Sequence, residues 1–184
     1  MWQFLTKRVM NLHSRVTFIL GGAASGKSEF AENLCVTNGK NRHYLATSQV
    51  FDGEMQTKID KHIAQRGAGW TTHEAPFDVA PVLQSLNDRD ICLLDCATMW
   101  LTNHLLADHD LHAQQTCLFA AIAQCNCDLV IVSNETGQGI VPDNKLARQF
   151  REAQGRLNIL LARQADLVVQ VIVGLPQVLK GTLP

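Results

Sequence analysis

The sequence carries no excess of basic charge: 16 Lys and Arg stand against 17 Asp and Glu, for a formal net charge of -1 and a pI near 6.6. Such a chain offers no field for counter-ion release, which argues against nucleic acid as a partner and for a small ligand. No run approaches the roughly 18 apolar residues of a membrane span, and the opening "MWQFLTKRVMNLHS" lacks an apolar core long enough for export. Six cysteines are present, but their spacings (Cys92 and Cys96, Cys125 and Cys127) match no zinc ribbon or paired CxxC. Reduced thiols in a cytoplasm are therefore expected. Internal repeats, low-complexity segments and a convincing linker are also missing. At 184 residues the chain suits one domain with a single core, read here as residues 15–184. Residues 1–14 read as an N-terminal extension, upstream of an alternative start at Met10 or held as a loose tail.

What is there is rhythm. Five aliphatic and β-branched runs recur: "RVTFILGG" from Arg15, "HYLATS" from His43, "ICLLDC" from Ile91, "DLVIVSNE" from Asp128 and "LVVQVIVG" from Leu167. Their nearly continuous apolar character is that of strands covered on both faces. Between them the pattern predicts helices over Ser25–Val36, Gly53–Arg66, Val79–Leu86, Met99–Leu106, Leu111–Ala123 and Pro142–Gln164. Alternation of this kind predicts an α/β fold with a mostly parallel central sheet and helices on both faces. Ligands in such sheets bind beyond the carboxyl ends of the strands.

Directly after the first strand stands "GGAASGKS", that is Gly21, Gly22, Ala23, Ala24, Ser25, Gly26, Lys27 and Ser28, and a helix opens behind it. This satisfies G-x-x-x-x-G-K-[ST] in its proper strand–loop–helix context. Backbone N–H groups and the helix N-terminus surround phosphates, the lysine reaches the β/γ oxygens, and the serine hydroxyl binds Mg²⁺. A magnesium site usually also takes a carboxylate from a neighbouring strand end, and "ICLLDC" supplies Asp95; its other reading is a cap for the following helix. A kinase, a nucleotide-dependent switch and a motor all remain open at this point.

One helical segment carries a less common signal. At about 100° per residue, Met55, Ile59, His62 and Arg66 share one stripe, with Asp52 as N-cap and Gly67 as the end. A histidine on that stripe is either hydrogen-bonded in a core or able to meet a phosphate. A neutral imidazole is a competent nucleophile at phosphorus, and a phosphoramidate splits one hard transfer into two easier ones.

Several segments together resemble one family, the bifunctional adenosylcobinamide kinase and adenosylcobinamide-phosphate guanylyltransferase of corrinoid biosynthesis. They are "GGAASGKS", "YLATSQVFDGEMQTKIDKHIAQR", "GWTTHEAP", "LLDCATMWLTN" and "VSNETGQGIVPDNKLARQFREAQGRLN", in order from about Val16 to Val173. The resemblance implies a RecA-like P-loop fold, a trimer, and transfer of a phosphoryl group from ATP or GTP to the aminopropanol hydroxyl of adenosylcobinamide. GMP from GTP then joins that phosphate and pyrophosphate leaves. It implies further that His62 becomes guanylylated. Nucleotide contacts would fall on Gly21 to Ser28, on Ala46, Thr47 and Ser48, on Ile63, Ala64, Gln65 and Arg66, and on Glu74 and Asp95. A plain P-loop small-molecule kinase and a switch protein are the alternatives. The sequence departs from the family pattern at Ala24, where an arginine is common, and in "RGAGW", where Gly67 and Gly69 replace proline and histidine.

Other features read both ways. Asn134 and Glu135 fit a substrate wall or a shaped turn; Arg148, Arg151 and Arg156 fit anion contacts or a solvated helix face. "ADHDLH" (Asp108, His109, Asp110, His112) has the composition of a metal site without its spacing, and His73 is a weaker rival to His62.

Overall fold

The computed structural model describes residues 16–49 and 67–184. The predicted Gly53–Arg66 helix, with His62, Ile63, Ala64, Gln65 and Arg66, lies outside the described residues. In chain order the elements are β1 (Val16–Gly21), α1 (Lys27–Thr37), β2 (Asn41–Ala46), β3 (Trp70–Glu74), α2 (Ala80–Ser85), β4 (Asp90–Asp95), α3 (Ala97–Leu106), α4 (Leu111–Gln124), β5 (Asp128–Asn134), α5 (Lys145–Gln164), β6 (Leu167–Ile172) and β7 (Leu175–Lys180).

The strands form one sheet in the order β3-β2-β4-β5-β1-β6-β7, parallel throughout except for β7, which runs antiparallel to β6. The five apolar runs are its inner strands. On one face α1 packs Ala31 and Cys35 against Ile19, Leu93, Val130 and Val169. On the other, α2 to α5 bring Leu83, Trp100, Leu101, Ile122, Leu157 and Leu161 onto Phe18, Leu94 and Ile131. Each such side chain fully buried contributes about 1.5–3 kcal/mol, so the sheet is held from both sides.

Two strands depart from the expectation. β3 reads Trp-Thr-Thr-His-Glu and is largely exposed, and in β7 every residue is exposed. Edge strands bury little and need no continuous apolar run. The last helix also begins later than its pattern suggests. Pro142 stays in the loop, and Asn144 is the cap, its Oδ1 accepting from the Ala147 N–H at 2.8 Å.

Candidate active site

Parallel register brings the strand ends to one edge. Gly21 stands opposite Asn134 on one side and Val171 on the other. Ala46 stands between Glu74 and Asp95, and Asp95 opposite Val132. Residues spread over more than a hundred positions of sequence thus share the carboxyl edge of the sheet, the side on which such folds hold ligands.

The loop from Gly22 to Gly26 is built for close backbone approach. Gly26 is the N-cap of α1 at φ 90° and ψ 3°, and a Cβ there would lie 3.0 Å from Gly174 Cα. A Cβ on Gly21 would lie 2.8 Å from the Val171 carbonyl oxygen. Both positions therefore need glycine, the first for its conformation as well. The Gly174 N–H donates to the Ser25 carbonyl at 2.8 Å and the Glu135 N–H to the Gly21 carbonyl at 3.0 Å, fixing the loop from the β6–β7 turn and from the end of β5. Ala24 takes φ 55° with its side chain exposed.

Lys27 Nζ donates to the Gly22 carbonyl at 3.1 Å, so the amine lies across its own loop. Burial lowers its pKa, while the neighbouring Cys96 and Asp95 work in the opposite direction. The buried Ser25 hydroxyl has no hydrogen-bond partner among the described residues. An unpartnered donor inside a glycine cradle fits a phosphate oxygen. Ser28, one residue into α1, is half-buried.

Asp95 does not cap the following helix: the N-cap residue of α3 is Cys96, with no side-chain cap bond. Its Oδ2 instead accepts the Tyr44 hydroxyl at 2.9 Å, and the peptide bond from Asp95 to Cys96 is cis. Thr47 is fully buried, and its hydroxyl is engaged at both ends, donating to the Cys96 carbonyl and accepting from the Cys96 N–H, each at 2.8 Å. Its side chain ties the end of β2 to the end of β4. Asn103 locks this junction by donating to the Thr47 carbonyl at 2.7 Å and the Pro76 carbonyl at 2.8 Å. Ser48 is half-buried beside it, and Glu74 is exposed at the end of β3.

The end of β5 rests on a polar network that sequence reasoning missed. Ser133 donates to Asn158 Oδ1 at 2.7 Å, Gln154 Nε2 donates to Ser133 Oγ at 2.9 Å, and Asn158 Nδ2 donates to the Asn134 carbonyl at 3.1 Å. The Asn134 N–H donates to Thr98 Oγ1 at 2.8 Å. Tyr44, Thr98 and Gly174 likewise carry no local signal, because their partners are distant in sequence.

The two-sided features all make contacts within the fold. Glu135 accepts from the N–H groups of Gly137 at 2.6 Å and Gln138 at 3.2 Å, shaping the turn. Arg148 donates to the carbonyls of Pro142 and Asp143, and Arg151 to those of Ile140 and Gly137, so both clamp the loop before α5. Arg156 lies near Glu152 on the solvated face of α5. Asp110 caps α4 through the N–H groups of His112 and Ala113, and His109 meets His104 at 2.9 Å. Among the described residues no group of three or more His, Cys, Asp and Glu is arranged to hold a metal. His73 is engaged with His43, ring nitrogen to ring nitrogen at 3.0 Å. Among those residues, too, no helix is long and apolar enough to cross a membrane.

Comparison with known proteins agrees with this geometry. The family described as cobinamide kinase / cobinamide phosphate guanyltransferase matches residues 17–179. The bifunctional adenosylcobalamin biosynthesis protein CobP of Pseudomonas aeruginosa is 42% identical over 166 residues, which cover 89% of this chain and 96% of the relative. The corresponding CobU proteins are 36% identical in Escherichia coli and 37% in Salmonella typhimurium, over 173 residues and 95% of each relative. In fold alone, the chain is similar to an ATPase of the type III secretion system of pathogenic bacteria, with a TM-score of 0.58 at 11% identity over 90% of this chain and 58% of that one. A Pyrococcus horikoshii protein, PH0250, is similar at a TM-score of 0.55 and 8% identity, over 93% of this chain and 88% of that one. With a phosphate cradle at the end of β1 and a match over nearly its whole length, the chain belongs to the cobinamide kinase / cobinamide phosphate guanyltransferase family.

Proposed function

We propose that residues 15–184 form one catalytic domain that phosphorylates adenosylcobinamide with ATP or GTP and then transfers GMP from GTP to the product through His62. The observation that carries this reading is the Gly21–Ser28 cradle within a family match that runs from residue 17 to 179 and so includes His62. In the first reaction the loop amides and Lys27 spread the charge on the transferred phosphoryl group, and positioning supplies most of the catalysis. In the second, the His62 imidazole attacks the α-phosphorus of GTP, a P–N bond forms, and pyrophosphate leaves with the bonding pair. An oxygen of the corrinoid phosphate then attacks the same phosphorus, the P–N bond breaks, and His62 returns to the neutral imidazole. Arg66, one turn further along the sequence pattern, stabilises charge at that phosphorus.

The unpartnered Ser25 hydroxyl and the glycine cradle support phosphate binding, and the donor set of the Ser28 hydroxyl and the Asp95 carboxylate is the hard oxygen set that suits Mg²⁺. Those two residues would hold the ion, which when bound neutralises charge on the nucleotide phosphates. The chain's own contribution is to aim the Asp95 carboxylate through Tyr44. Ala46, Thr47, Ser48 and Glu74 would contact the nucleotide, and so, by the family resemblance, would Ile63, Ala64 and Gln65. The enzyme works in the cytoplasm as a homotrimer.

The test is incubation of the parent and His62→Ala with α-labelled GTP and Mg²⁺, followed by denaturation. Acid-labile, alkali-stable label on the parent alone is the expected result. Equal labelling of both proteins refutes His62 as the carrier, and absence of label from a parent that binds GTP leaves a plain P-loop kinase.

A further inference from the structure

Cys125 and Cys127 flank the α4–β5 junction, and their Sγ atoms lie 3.1 Å apart. Both are buried, at 4% and 0% relative exposure, while Asn126 between them is exposed. Cys125 is the first residue past α4 and has left the helical conformation, at φ -65° and ψ 133°. Ala123, Gln124 and Asn126 are exposed, so the turn that carries both sulfurs lies at the surface. A disulfide has an S–S length of about 2.05 Å, so a closure of roughly 1 Å separates the pair from a covalent bond.

The two thiols are not equivalent. Either sulfur can donate in the contact between them, and Cys125 Sγ also donates to the Cys127 carbonyl at 3.9 Å. Cys125, at the end of α4 and the less completely covered of the two, is the sulfur a reagent meets first, and Cys127 is the partner that resolves it. None of the other four thiols is disulfide-bonded, and of these Cys117 alone is exposed.

We propose that Cys125 and Cys127 are a redox-active dithiol that a hydroperoxide converts to a disulfide. Cys125 ionises, its thiolate attacks one peroxide oxygen, the O–O bond breaks, and the departing oxygen takes up the proton that Cys125 released. Cys125 is now a sulfenic acid, oxidised by two electrons, and the peroxide is reduced to water or an alcohol. Cys127 still carries its thiol proton. The Cys127 sulfur displaces the sulfenic hydroxyl, the S–S bond forms and water leaves. A dithiol reductant reverses the bond. The inference stands apart from the kinase reading, since the pair lies at the start of β5 and the phosphate loop meets its other end.

The experiment uses the full-length folded protein, treated with hydrogen peroxide, quenched, denatured and alkylated, then mapped by mass spectrometry. The parent and Cys117→Ala are expected to lose two alkylatable thiols per chain, recovered by dithiothreitol, with the crosslink between positions 125 and 127. Cys127→Ser is expected to stop at a dimedone-reactive sulfenic acid on Cys125, and Cys125→Ser to form none on Cys127. Retention of all six thiols after peroxide overturns the proposal, as does a crosslink mapped to any other pair. Should the serine variants fail to fold, the Cys117→Ala map alone decides.

Discussion

Alanine at Gly21, Gly22 and Gly26 separates the two reasons a phosphate loop needs glycine. Gly26 sits at φ 90°, where an L-residue costs about 1–2 kcal/mol, and its Cβ would press on the Gly174 backbone at 3.0 Å. The unfolded state returns about 0.5–1 kcal/mol of that through its reduced entropy, leaving a net loss near 1 kcal/mol before the contact is relieved. Gly21 has no left-handed φ, but its Cβ would stand 2.8 Å from the Val171 carbonyl, a backbone atom that cannot rotate away. Overpacking of that kind costs about 1–3 kcal/mol, and the rigidity of the obstacle puts it toward the top. Gly22 has neither problem: nothing lies within 4 Å of its Cβ. In a chain of this length each kcal/mol moves Tm by about 2–4 °C. Thermal melts without nucleotide should therefore rank Gly21→Ala lowest, by about 4–10 °C once the same entropic return is allowed, Gly26→Ala next, by about 2–4 °C, and Gly22→Ala level with the parent or about 1–4 °C above it. A Gly22→Ala loss equal to that of Gly26→Ala would refute the reasoning, because the loop would then be sensitive to any side chain.

Tyr44→Phe removes the hydroxyl from Asp95 Oδ2 and keeps the ring that packs edge-on to Trp70. A hydrogen bond to a charged group contributes about 1.5 kcal/mol, so GTP affinity in Mg²⁺ should fall about tenfold while affinity in excess chelator stays unchanged. GTP titrations under the two conditions check it, and an equal loss in both would assign Tyr44 to packing. His104 is 1% exposed, and burial lowers its pKa below 6.5, with the nearby His109 adding to the effect. The unfolded chain then binds the proton more readily than the folded one. The stability this group contributes is present above pH 6.5 and is lost as pH falls through the depressed folded value. Urea midpoints should decline on acidification from pH 7, and His104→Gln should flatten that slope.

The inner strands were legible because burial on both faces leaves no room for alternation: Phe18, Ile19, Leu93, Leu94 and Ile131 are fully covered and the sequence shows it. β3 and β7 were not, since Thr71, Thr72 and Gln177 satisfy an edge as well as a loop. The phosphate loop was legible for a different reason, its lysine, serine and glycines being fixed at close spacing by one local task. Asp95 could be placed as a strand end, but its orientation could not, because Tyr44 lies 51 positions away. The same holds for Arg148 and Arg151, whose loop carbonyls are found only when the loop closes over α5. Thr47 was expected from the resemblance alone to meet a nucleotide, whereas the occupation of its hydroxyl by Cys96 required the structure.

The contact between Gly26 and Gly174 bears on how the chain is made. The phosphate loop leaves the ribosome before β5 and β6, yet β1 pairs with those two strands, and the loop is braced by Glu135 and Gly174. A nascent chain that has reached α4 holds every residue of the Gly21–Ser28 motif but lacks the end of β5 and the β6–β7 turn that brace it. Competence to hold a nucleotide thus waits for residue 174, and a ribosome stalled before it displays the motif without that support.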